Sequence, residues 1–183
     1  MEVLSIEEVI CISCIIGEKM PELNENVKNK LQQQIQEEFY SSYLYLSMSF
    51  EFDQQGLSGF AHWMRKQAQE EWAHGMRICN YLISIGYSPV LKPLESPPRQ
   101  HSTPLIAFDA ALSHERHISG CIDTLMTIAR ENKDYRTENL LIWFIEEQIE
   151  EEEQTSEILE QLKMIGDSTV GILRLDSVLG RRE

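Results

Sequence analysis

Residues 60–85 read FAHWMRKQAQEEWAHGMRICNYLISI, and every third or fourth side chain of this stretch belongs to one helical stripe. The stripe consists of Phe60, Met64, Gln67, Glu71, His74, Ile78, Tyr81 and Ile85. Its apolar members predict a helix face that packs into a core, yet Glu71 and His74 lie within that face. A buried carboxylate is costly unless it is paired or binds a metal ion. The stretch therefore predicts a metal site inside a bundle of helices.

Three further stretches combine helical spacing with a carboxylate on the core-facing stripe. The carboxylates are Glu38 in a helix predicted over 24–52, Glu115 in one over 104–131, and Glu151 in one over 135–164. Iron sites in helical bundles use oxygen donors and imidazoles that converge from several helices, and a bridging carboxylate joins two metal ions. With Glu71 and His74 in a helix over 57–85, these residues predict a dinuclear metal site.

The breaks between the helices predict the fold class. Gly56 and Gly59 mark a short break after the first helix, whereas Gly86 and the prolines that follow it open a long irregular connection. Helices of about 28 residues are about 40 Å long, which suits an all-α, four-helix bundle with one long crossover. Thr169–Leu179 predicts a short fifth helix whose apolar side chains contact another subunit.

The chain divides into three predicted segments. They are an N-terminal extension over 1–19, a bundle over 20–165, and a C-terminal segment over 166–183 for assembly contacts. We expect the extension to be disordered or to reflect a mis-assigned start, because Met20 and Pro21 look like a natural beginning. Cys11 and Cys14 have the spacing of half a zinc site, but the chain holds no second pair to complete it.

Composition argues against several classes of partner. The formal charge of −14, from 30 acidic and 16 basic residues, disfavours nucleic acid and favours cations. The longest apolar run, at 9–16, is about half the length of a membrane-spanning helix, and no basic region precedes it as in a signal peptide. We therefore expect no membrane partner and a cytoplasmic protein. Four scattered cysteines are too few for a disulfide framework.

Four stretches, in this order along the chain, resemble the non-haem ferritins of bacteria and archaea. They are EFYSSYLY at 38–45, QEEWAH at 69–74, HE at 114–115 and WFIEEQIEE at 143–151. The likeness covers residues 24–183 and implies a ferritin-like four-helix bundle with a short fifth helix. It also implies ferroxidase activity, in which dioxygen or peroxide oxidises Fe(II), and storage of the Fe(III) as a mineral. The storage compartment would be a homo-oligomeric cage of about 24 subunits.

The resemblance also assigns roles to residues. Glu38, Glu71 and His74 would hold the first iron of a dinuclear centre, and Glu71 would bridge to a second iron held by Glu115 and Glu151. Gln148 would line the centre, and Tyr45 matches the redox tyrosine of the family. A third iron position would use Glu70, Glu147 and Glu150, which otherwise read as part of an acidic solvent face.

Two departures separate this chain from the haem-binding bacterioferritins. Trp72 stands where those proteins carry a haem-binding methionine after the bridging glutamate. The fourth helix has Gln148-Ile149-Glu150-Glu151 in place of a second Glu-x-x-His motif. We therefore expect iron and no haem.

Two other functions remain open at the level of sequence. One is a di-iron oxygenase or peroxide-reducing enzyme that acts on a separate substrate, since one fold supports many activities. The other is a purely structural bundle that binds no iron. Its carboxylates would pair instead with cations on the same helices, namely Arg65, Lys66, Arg77 or His114.

Overall fold

The computed structural model describes residues 22–98 and 103–182, and these residues form helices joined by turns and one long connection. The helices are α1 (Glu25–Gln55), α2 (Ser58–Ser84), α3 (Pro104–Glu131), α4 (Tyr135–Ile165) and α5 (Thr169–Leu179). Within the described ranges no strand occurs, so the all-α prediction is confirmed. None of these helices is long and apolar enough to cross a membrane. The predicted extension at 1–19 lies outside the described residues.

The bundle consists of two helical hairpins that pack against each other. α1 packs mainly on α2 and α3 on α4, α1 also contacts α3, and α5 packs on α2. The helix ends lie close to their predicted positions because the local capping signals are used. The Asn24 side chain accepts a hydrogen bond of 2.8 Å from the Asn26 amide, and Gly56 ends α1 with a φ of 75°.

Two apolar clusters fill the interior on either side of a polar band. One cluster includes Tyr45, Phe52, Phe60, Phe108 and Leu162, and the other includes Val27, Ile35, Ile78, Ile118 and Phe144. Along each of the four long helices, the predicted carboxylate falls between residues of the first cluster and residues of the second. The apolar packing therefore holds the four helices rigidly around the band.

Gly56 lies at the predicted break, and Gly59, which the helix predicted over 57–85 already includes, lies inside the first turn of α2. Its missing side chain permits close contact with α5. A Cβ atom at Gly59 would lie 1.7 Å from the backbone oxygen of Asp176. The Asp176 carboxylate in turn accepts hydrogen bonds of 2.8 and 2.9 Å from the amides of Gly59 and Phe60. α5 therefore caps the N-terminus of α2.

We predict that Gly59→Ala lowers the free energy of unfolding by about 1–3 kcal/mol, because the added methyl group forces α5 away from its cap. Gly120→Ala is the matched control. It lies within α3 with no atom near the position of a new Cβ, so we expect it to raise the stability by about 0.5–1 kcal/mol. Thermal unfolding of both variants is the measurement. Equal stabilities would contradict the proposed contact.

Candidate metal centre

The structure places all five stripe residues that were predicted as metal ligands in the interior. Glu38, Glu71, His74, Glu115 and Glu151 are each at most 4% exposed. They come from α1, α2, α3 and α4, so each long helix contributes at least one of them. The bundle thus brings four carboxyl groups and one imidazole into its polar band.

Three of these residues direct unpartnered atoms toward one another. His74 Nδ1 lies 3.5 Å from Glu71 Oε2 and 3.9 Å from Glu38 Oε2. All three atoms are buried and none has a hydrogen-bond partner. Leaving such groups unsatisfied is expensive, and native interiors rarely contain them without a ligand or water. Ligand atoms of the three residues lie within 4.8 Å of one another, which is the spacing that one metal ion requires.

Amide side chains hold the other oxygen of each of these carboxylates. Gln34 Nε2 donates to Glu38 Oε1 at 2.8 Å, and Gln67 Nε2 donates to Glu71 Oε1 at 2.9 Å. Gln67 also donates to Glu151 Oε2, so a single amide links two ligand candidates. Glu38 and Glu71 are therefore each held in place through one carboxylate oxygen, and the other oxygen is free to bind a metal ion.

Glu115 is turned toward two other residues that the sequence placed at the centre. The Tyr45 hydroxyl donates to Glu115 Oε1, and Gln148 Nε2 donates to Glu115 Oε2 at 3.2 Å. Glu115 belongs neither to the group of Glu38, Glu71 and His74 nor to the other group of donor atoms around His74.

Of the three residues predicted for a further iron position, the structure brings one to the centre. Glu147 is half-buried, lies 3.9 Å from His74 Nε2, and forms a second group of donor atoms with His74 and Glu151. Glu70 instead pairs with Arg182, and the exposed Glu150 accepts a hydrogen bond of 2.7 Å from Gln154.

Three residues that support the centre, Gln34, Gln67 and Arg182, were not singled out from the sequence as parts of it. Gln67 lies on the stripe of α2, and its position between apolar residues was a usable signal. Arg182 carried no such signal, because it follows α5 and contacts residues far away in the chain. Its guanidinium donates to Gln67 Oε1 at 2.9 Å and lies 4.6 Å from the centre of the Trp63 ring.

Burial keeps protons on Glu38, Glu115 and Glu151 by raising the pKa of each. Burial and the nearby charge of Glu71 raise the pKa of Glu115 from 4.5 to about 8 and that of Glu151 from 4.5 to about 9, and they raise the pKa of Glu38 strongly. Burial alone would lower the pKa of His74, but contact with Glu71 and the charge of Glu147 raise it. The folded metal-free chain thus binds protons that the unfolded chain has lost, so its stability falls as the pH rises from about 4.5 to about 9.

Three of the four cations considered for a structural pairing contact other groups. Arg65 pairs with Asp53, the Arg77 guanidinium lies 3.8 Å from the centre of the Trp143 ring, and His114 shares a hydrogen bond of 2.7 Å with Ser41. Among the ion pairs of the described residues, His74 is the partner of Glu38 and Glu71, and no Lys or Arg joins them. Glu38, Glu71 and His74 are therefore candidate ligands of a metal ion.

Comparisons with known proteins agree with this geometry. The chain matches the model of the ferritin-like domain over residues 28–165. It is 42% identical over 160 residues to the bacterial non-heme ferritin of Bacteroides fragilis, covering 87% of this chain and 99% of the relative. It is 32% identical to that of Staphylococcus aureus over 160 residues, covering 87% and 96%.

The fold is also similar to solved ferritin structures. An open pore ferritin from Archaeoglobus fulgidus superimposes with a TM-score of 0.87 and 39% identity, covering 88% of this chain and 100% of that chain. An engineered closed form of the same ferritin gives the same TM-score and identity, covering 88% and 99%. Since the family match contains every residue of the buried donor set, the chain belongs to the ferritin family.

Proposed function

We propose that this chain is an iron-storage ferritin that oxidises Fe(II) at a dinuclear centre and keeps the Fe(III) as a mineral inside a cage. Membership of the ferritin family supports iron storage. The observation that carries the oxidation site is the convergence of three buried, unpartnered donor atoms on Glu38, Glu71 and His74. Unpartnered donors at this spacing fit an Fe(II) ion bound as substrate.

Two Fe(II) ions match the charge of the proposed ligand set. Glu38, Glu71 and His74 would bind the first ion, and Glu71 would bridge to a second ion bound by Glu115 and Glu151. Four carboxylates carry four negative charges, which balance two divalent cations. Gln148 would line the second position, because its amide already contacts Glu115. Binding at Glu115 requires that its carboxylate exchange the Tyr45 or Gln148 contact for the ion.

The pairing of two ions gives the oxidation its stoichiometry. Each Fe(II) gives up one electron, so the pair supplies the two electrons that reduce dioxygen to hydrogen peroxide or hydrogen peroxide to water. Tyr45 remains protonated in the interior, because burial and the charge of Glu115 raise its pKa well above the usual value. It therefore keeps a hydroxyl proton at the edge of the centre, where it donates to Glu115.

Glu147 offers a path from the centre toward solvent. It lies beside His74 and is half-buried, while Glu70 and Glu150 are more exposed. We infer that these three carboxylates form a third iron position that receives ions leaving the dinuclear centre. Occupation requires Glu70 to leave Arg182 and Glu150 to leave Gln154.

Exposed apolar side chains support assembly into a homo-oligomeric cage. On α1 and α2 these include Phe50, Trp72 and Ile83, and Trp72 is 56% exposed. On α5, Val170 and Leu173 also face outward. Such surface is typical of protein contacts. The number of about 24 subunits follows from likeness to the ferritin family. A cytoplasmic location stays a prediction.

We predict that Glu71→Gln slows Fe(II) oxidation in air at least about tenfold, because the neutral amide cannot bridge two ions. Asp109→Asn, which changes an exposed carboxylate on α3, should oxidise Fe(II) at the unchanged rate. Stopped-flow absorbance of Fe(III) on the purified, iron-free proteins is the measurement. Equal rates for Glu71→Gln and the unmodified chain would contradict the proposed centre.

Particle size and iron uptake, measured on the same samples, distinguish an iron-storage protein from a di-iron enzyme. A ferritin should form a particle far larger than one chain and take up many irons per subunit, as measured by light scattering and iron analysis. Oxidation that stops at two irons per chain on a small oligomer would favour the oxygenase or peroxide-reducing alternative.

We predict that Fe(II) binding releases protons and that affinity rises between pH 6 and 8. The pKa values of about 8 and 9 for Glu115 and Glu151 mean that both groups lose protons to the ion in this range. Each displaced proton raises the apparent affinity about tenfold per pH unit. Anaerobic calorimetry in buffers of different ionisation enthalpy counts the protons. A pH-independent affinity would show that the carboxyl groups are already ionised.

A further inference from the structure

A second group of metal-binding side chains lies outside the dinuclear centre, in the groove between α1 and α3. Glu37 on α1 faces His117 and Cys121 on α3, and ligand atoms of the three residues lie within 4.8 Å of one another. The groove faces away from the core, since the side chain of Glu37 is 24% exposed and that of Glu38 only 1%. This group, the α1–α3 group, is not used by the proposed oxidation of iron.

The distances within the α1–α3 group match those of a tetrahedral zinc site. His117 Nε2 lies 3.4 Å from Glu37 Oε2 and 3.6 Å from Cys121 Sγ. Zinc binds oxygen and nitrogen at about 2.0 Å and sulfur at about 2.3 Å. At tetrahedral angles these bond lengths separate nitrogen from oxygen by about 3.3 Å and sulfur from nitrogen by about 3.5 Å. Two of the three donor separations therefore already match such an ion, and the third, between Glu37 and Cys121, is within 4.8 Å.

Hydrogen bonding cannot satisfy all three side chains at once. Both contacts involve the same atom, His117 Nε2, and its contact of 3.4 Å with Glu37 is long for a hydrogen bond between nitrogen and oxygen. A neutral ring nitrogen carries either one proton or one lone pair. If it carries the proton, it donates to Glu37 and cannot accept from the Cys121 thiol. If it carries the lone pair, it faces the Glu37 carboxylate without a proton between them. A metal ion satisfies all three atoms together.

The groove beside the group has room for an ion and its water. A cavity of about 260 Å³ is lined by His117, Cys121, Lys30 and Arg116, among others. The two cationic side chains are engaged elsewhere, because Lys30 donates to Gln33 at 3.1 Å and Arg116 lies 3.7 Å from Glu152. Neither therefore occupies the position of a metal ion between the three donors.

We propose that Glu37, His117 and Cys121 bind one Zn²⁺ ion per chain, with a water molecule in the fourth position. Two ligands four residues apart on one helix and a third from a neighbouring helix give three protein donors and one open position. The thiolate donor favours zinc over Fe(II), because soft sulfur ligands select softer cations. The site would therefore bind a different metal from the one that the buried carboxylates bind.

Co²⁺ is the probe that identifies a thiolate ligand, because cobalt bound to sulfur gives an intense near-ultraviolet charge-transfer band. The titration uses the assembled, iron-free protein with Cys11→Ser and Cys14→Ser, so that these cysteines cannot contribute. We expect the band to saturate at one Co²⁺ per chain and to disappear on addition of Zn²⁺. Cys121→Ser should abolish it, and Cys79→Ala, which changes a buried cysteine, should preserve it.

Two more variants test the other ligands. Glu37→Gln and His117→Asn should each weaken Zn²⁺ binding at least about tenfold, as measured by competition with a chromophoric chelator. Circular dichroism establishes that the variants are folded. The absence of the band, its survival in Cys121→Ser, or unchanged Zn²⁺ affinity in both ligand variants would overturn the proposal. A failure of this kind leaves the iron centre unaffected, because the two sites share no ligand.

Discussion

The bundle buries four carboxyl groups and one imidazole, and within residues 22–98 and 103–182 no Lys or Arg pairs with Glu38, Glu71 or His74. Buried charge without a partner is costly, and a protein usually avoids it through protonation. The raised pKa values of Glu38, Glu115 and Glu151 show this response in the metal-free chain. A cation that replaces the protons would remove the same cost, which is why we propose that the centre binds one. The two apolar clusters on either side keep the helices in place around the centre.

The choice of neighbours around the carboxylates follows from the same constraint. Amides from Gln34, Gln67 and Gln148 orient the carboxylates, and an amide does so without neutralising them. An arginine in the same place would compete with the metal ion. Arg182 orients Glu71 and Glu151 indirectly, because its guanidinium donates to the side-chain oxygen of Gln67. That contact turns the amide nitrogen of Gln67 toward Glu71 and Glu151, so the segment after α5 helps to orient two ligands.

Helical periodicity and the placement of glycine and proline were sufficient to predict the helices and the polar interruption of the core. They reveal which side chains face inward, since that depends on spacing along one helix. They do not reveal contacts between distant segments. Gly59 appeared to be a helix breaker, and only the approach of Asp176 explains it. The pairing of Glu70 with Arg182 and the position of Arg182 beside Gln67 were equally hidden, because both join residues more than 100 positions apart. The α1–α3 group was missed for the same reason.

The proposed dinuclear centre is tested most directly by anomalous diffraction at the iron edge from crystals soaked with Fe(II) without oxygen. We expect two peaks per chain inside the bundle. One should lie on Glu38 Oε2, Glu71 Oε2 and His74 Nδ1, and the other between Glu71, Glu115 and Glu151. Iron confined to surface carboxylates, with those three atoms still unpartnered, would contradict the proposed centre.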